Sequence, residues 1–83
     1  MPDTFERVRE IIAAKTGLDK AHITPAMAFS DGVGPERVAD IRFACEIEFK
    51  IKLAEYAHIG WTCPDDVVRS IENEIGNRAR QVA

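Results

Sequence analysis

The sequence predicts a small all-α domain, a four-helix bundle of three main helices and one short helix with a long first loop. Three observations predict it. Apolar residues recur at helical spacing in three separate stretches, over residues 5–18, 38–49 and 67–75, as amphipathic helices require. Glycine and proline punctuate the ends of those stretches, at Gly17, Pro35, Gly60 and Pro64. The one segment that could be extended, Ile51-Lys52-Leu53, has no partner strand elsewhere and reads as a connector.

The first helix is predicted over residues 3–16. Asp3 followed by Glu6 has the spacing of a capping box, an oxygen acceptor with Glu three residues on. Phe5, Val8, Ile11, Ile12 and then Leu18 mark its buried side, and Glu6, Arg7, Arg9, Glu10 and Lys15 its wet side. Gly17 suits a left-handed cap. Leu18 to Ser30 holds no helical period, but Ile23, Met27 and Phe29 are spaced as anchors that pin a loop across a core. Connections this long exceed the usual length and are often functional.

Helix two is predicted from about Pro35 to Lys50, with Pro35 at a first helical position and Glu36 favoured by the helix dipole. At about 100° per residue, Val38, Ile41, Cys45 and Phe49 share one face. Phe43 and Ile47 form a second apolar stripe well away from it. Either intervening chain covers this pair, through Met27 or Tyr56, or the pair faces outward. A short helix or turn is expected around 54–59. A last helix follows, with Thr62 as its cap, Pro64, Asp65 and Asp66 in its first turn, Val67, Val68, Ile71 and Ile75 buried, and its end near Gly76. Trp61 is expected to pack into the core, Ser70 to be a wet helical residue, and Cys45 a small buried hydrophobe.

Composition narrows the function classes. Eighty-three residues make one domain, spanning 1–83, with a modest core. A net charge of −3 argues against a nucleic-acid binder, which needs a basic stripe to displace counterions. No apolar run approaches the ~20 residues of a membrane span. A charged N-terminal stretch, MPDTFERVRE, does not resemble a secretory signal, so a cytoplasmic location is expected. Cys45 and Cys63 make neither a disulfide framework nor a zinc site, and His22 and His58 lack metal-ligand spacing. No catalytic residue and no metal ligand is assigned, and the chain is not expected to be an enzyme.

Residues 6–29, ERVREIIAAKTGLDKAHITPAMAF, resemble the first helix and loop of the acyl carrier protein family. ACEIEFKIKL resembles the acidic end of that family's second helix with its extended exit, and WTCPDDVVRSI its last segment. The likeness runs from residue 4 to about 76 and implies the same four-helix fold. In that family an Asp-Ser-Leu motif opens helix two, and its Ser carries a 4′-phosphopantetheine arm that holds an acyl chain as a thioester. This chain departs from it. Matching Gly34 to the family's Gly puts Arg37 in the serine's place; matching the end of helix two puts Pro35 there. Neither has a hydroxyl that could form the phosphodiester, so no cofactor is expected. Ser30, a few residues upstream in Ser30-Asp31-Gly32, is the alternative attachment site.

The resemblance also implies a partner surface. Carrier proteins meet their enzymes through an acidic helix two. Here Glu36, Asp40, Glu46 and Glu48 are interrupted by Arg37, Arg42, Lys50 and Lys52, so the charge is nearly balanced. The expectation is a protein partner docking on helix two, with Phe43 and Ile47 as anchors and Arg37, Asp40, Arg42 and Glu46 as the rim.

Overall fold

A computed structural model describes the backbone of residues 3–82 and the side chains of residues 3–30 and 32–76. Three helices carry it: α1 at Thr4–Thr16, α2 at Pro35–Phe49 and α3 at Pro64–Val82. No strand occurs among the described residues. The expected short fourth element is a 3-10 turn at Ala57–Gly60, and two further 3-10 turns, Lys20–His22 and Phe29–Asp31, lie inside the long first connection.

Local chemistry sets the ends of α1. Asp3 accepts a hydrogen bond from the Glu6 N–H at 2.8 Å. Gly17, at φ 77°, closes the helix by donating its N–H to the Ala13 carbonyl at 2.9 Å. Helix α2 begins on Pro35, as expected, and ends at Lys50, a non-glycine residue in the left-handed region at φ 53°. The extended segment after it buries Ile51 and Leu53 and leaves Lys52 exposed.

Helix α3 departs from expectation at both ends. Thr62 does not accept as a cap; its N–H and its hydroxyl both donate to Asp66 Oδ2, at 2.9 and 2.8 Å. The Thr62 backbone N–H, then its hydroxyl, and Arg69 hold the Asp66 carboxyl below the ordinary range. At the other end the helix does not stop near Gly76 but runs on to Val82. Gly76 is not among the positive-φ glycines, and the residues that follow, including Arg78, Ala79, Arg80 and Gln81, are good helix formers.

Helix α1 packs against both α2 and α3. Val8, Ile12, Ile41, Cys45, Val67 and Ile71 from the three helices are fully buried, joined by Ile23, Phe29, Val33, Ile51, Leu53 and Trp61 from the connections. The long loop is pinned as its anchors predict. The Phe29 N–H donates to the Thr62 carbonyl at 2.8 Å, and the Asp65 N–H to the Pro25 carbonyl at 3.0 Å. Trp61 packs into the core, and its indole N–H donates to Ser70 Oγ at 2.9 Å. Ser70 is therefore not a purely wet residue; a buried indole needs an acceptor, and Ser70 supplies it.

Candidate functional site

Two surface features are built around α2. One is its outer face and the other is a cleft at its start.

Val38, Ile41 and Cys45 hold α2 to the core. On a 3.6-residue helix this fixes the opposite, solvent-facing stripe as Glu36, Asp40, Phe43 and Ile47, and Lys50, the left-handed cap just past the helix, is exposed beyond its end. Phe43 is 56% exposed and Ile47 78%. Met27 packs against the core and Tyr56 is itself exposed, so neither covers the pair. Beside the stripe, α1 and α2 run antiparallel, with Arg7 hydrogen-bonded to Glu48 at one end of the contact. A groove of about 370 Å³ lies between the helices, lined by Ile11 and Lys15 of α1 and by Asp40, Ala44 and Glu48 of α2 beside the Phe43–Ile47 pair.

The expected rim divides. Arg37 and Asp40 lie on the surface, 3.5 Å apart. Arg42 and Glu46 do not form a solvated rim. Arg42 is only 8% exposed, and its Nη1 donates to Glu46 Oε1 at 3.2 Å. Its guanidinium carbon lies 4.4 Å from the centre of the Phe43 ring, and its Nε is buried without a hydrogen-bond partner among the described residues. Glu46 turns its other oxygen to the Leu53 N–H at 2.9 Å. The pair thus ties the end of α2 to the chain leaving it. An arginine can take this place because its long apolar stem covers the core edge while its head finds a carboxylate one turn on. Lys15 and Ile11, which border the groove from α1, were not singled out in sequence as surface partners of α2. Their proximity follows from the α1–α2 packing register, which the period of one helix does not contain.

The cleft, about 730 Å³, lies between the loop before α2, the first turn of α2 and the 58–62 segment. Phe29, Val33, Pro35, Val38, Ile59 and Trp61 give it an apolar wall, and Ser30 and His58 are among its polar members. Ser30 is exposed there, and Ile59 is 70% exposed. The His58 Nδ1 is buried without a hydrogen-bond partner among the described residues. Among the described side chains, no carboxylate, lysine or arginine lines the cleft. Of the two residues that the resemblance would set in the serine's place, Pro35 lines it and Arg37 is not among its lining residues.

Burial, then Glu48 and Glu46, push the Cys45 thiol up to about 12, so it stays protonated at neutral pH. Cys63 is half-buried and free. Among the described residues no group of three or more His, Cys, Asp and Glu is placed to hold a metal ion, and no helix is long and apolar enough to cross a membrane. No known protein-family model matches this chain.

Proposed function

We propose that this chain is an acyl-carrier-like domain without the attachment serine. It works as a non-enzymatic protein-interaction or scaffold module tied to fatty-acid, polyketide or lipid synthesis, and its protein partner docks on α2. The observation that carries the docking role is the exposed Phe43–Ile47 pair on the face of α2 opposite its buried stripe. Exposed apolar pairs ringed by charge are what partner surfaces use as anchors. Arg37, Asp40, Lys15 and Glu48 form the ring, and Arg42 and Glu46 act beneath it by fixing the end of the helix. Because the ring holds both signs, recognition rests on shape and apolar contact more than on long-range steering.

The alternative reading is a working carrier with 4′-phosphopantetheine on Ser30. It is favoured by one observation: Ser30 is exposed at an apolar cleft beside the start of α2. Intact mass separates the two. After incubation with coenzyme A and a broad-specificity phosphopantetheinyl transferase, beside a carrier that does gain the arm, the mass is expected to stay unchanged. A gain of one phosphopantetheine, abolished by Ser30→Ala, would overturn the cofactor-free reading.

A further inference from the structure

The exposed stripe of α2, taken together with its capping residue Lys50, has an internal symmetry. Read from the helix start it runs acidic, acidic, apolar, apolar, basic: Glu36, Asp40, Phe43, Ile47, Lys50. Phe43 and Ile47 are symmetric about residue 45, and so are Asp40 and Lys50. An antiparallel copy of the same helix, related by a two-fold axis at the level of Cys45, therefore satisfies both pairs at once. It sets Phe43 on Ile47 of the partner subunit and Asp40 beside Lys50 of the partner subunit, each contact occurring twice. A parallel copy would set like charge against like charge at both ends. Interfaces of this kind are isologous and self-complementary, as closed two-fold dimers require.

We infer that, given the docking role of α2 proposed above, the occupant of that face is a second copy of this chain, packed antiparallel through Phe43 and Ile47. The stripe is short. Two apolar anchors per chain fall well below the ~800 Å² per partner of a standard interface, which places the dimer in the weak class with Kd on the order of 0.1–1 mM. Asp40 keeps its neighbour Arg37 in this arrangement and lies between two positive groups.

Sedimentation equilibrium of the full chain at low salt tests this by charge exchange. Wild type is expected to shift from monomer to dimer as its concentration approaches about 1 mM. D40K alone sets two lysines together at each end of the dimer, and K50E alone sets two carboxylates together; each should weaken association at least tenfold. Mixing D40K with K50E restores opposite charges at both ends and should return association to the wild-type level. K50E alters a helix cap held at φ 53°, so I47E, which puts a charge at an apolar anchor, serves as a second disrupting variant with the fold checked by circular dichroism. A wild type that stays monomeric throughout overturns the pairing. So does a dimer indifferent to D40K and I47E, or a mixture no stronger than its components. Such results leave α2 open to a different protein, whereas the docking role itself falls if Ile47 proves to be a folding residue.

Discussion

Ile41→Ala is expected to cost about 3 kcal/mol of folding stability, while Ile47→Ala costs less than about 0.5 kcal/mol. The two residues are the same type on the same helix, six positions apart, and differ in what surrounds them. Ile41 has no exposed surface, so its truncation removes apolar burial and leaves a cavity in the core cluster that the surrounding side chains fill only in part. Ile47 is 78% exposed. Its truncation removes little burial, and alanine is the better helix former, which offsets even that. A domain of this size holds only about 4–12 kcal/mol in total, so the first variant will show a sharply lower urea midpoint and the second an almost unchanged one. Trp61, buried in the core, reports the transition by fluorescence.

Glu46→Ala is expected to cost about 3 kcal/mol, more than a surface glutamate would. It strands Arg42, whose head is nearly buried and has Glu46 as its carboxylate partner. It also leaves the Leu53 N–H without its acceptor. Removing one member of a buried pair costs more than removing both, because the residual charge has lost its compensation. The double variant R42M/E46Q takes away both charges and keeps an amide oxygen for the Leu53 N–H. It should therefore lie within about 1 kcal/mol of wild type, well above E46A. Urea unfolding of the two variants side by side checks this. Equal losses would contradict this and show that the ion pair itself, absent from both variants, and not the Leu53 contact carries the effect.

Much of this fold is written in short-range signals. The start and stop of α1 are legible because Asp3, Glu6 and Gly17 act within one turn of the ends they set. The start of α2 is legible because Pro35 fits a first helical position. The end of α3 is not, because Gly76 is a stop only if the chain adopts a left-handed φ, and residues that favour helix on its far side remove the reason to do so. Ser70 and Trp61 are legible separately but not as a pair, since their hydrogen bond joins an entry residue to a position on the helix after it. Thr62 was legible as part of the cap but not in its direction of donation, which Asp66 reverses.

The site divides along the same line. The outward stripe of Phe43 and Ile47 follows from helical period once the core face is known. Arg42 looked like a rim residue because arginines are seldom buried. Its burial depends on Glu46 one turn on and on the course of residues 51–53, which is tertiary information. The groove with Ile11 and Lys15 depends likewise on how α1 lies against α2.

That the outer stripe of α2 is where this chain meets a second copy of itself can be tested most directly by amide proton–nitrogen correlation spectra of the labelled chain, from dilute solution to about 1 mM. Signals of Asp40, Phe43, Ile47 and Lys50 should move with concentration, with those of Ser30, Ile59 and Trp61 in the cleft staying fixed. Movement confined to the cleft residues, or spectra that do not change with concentration, would contradict it.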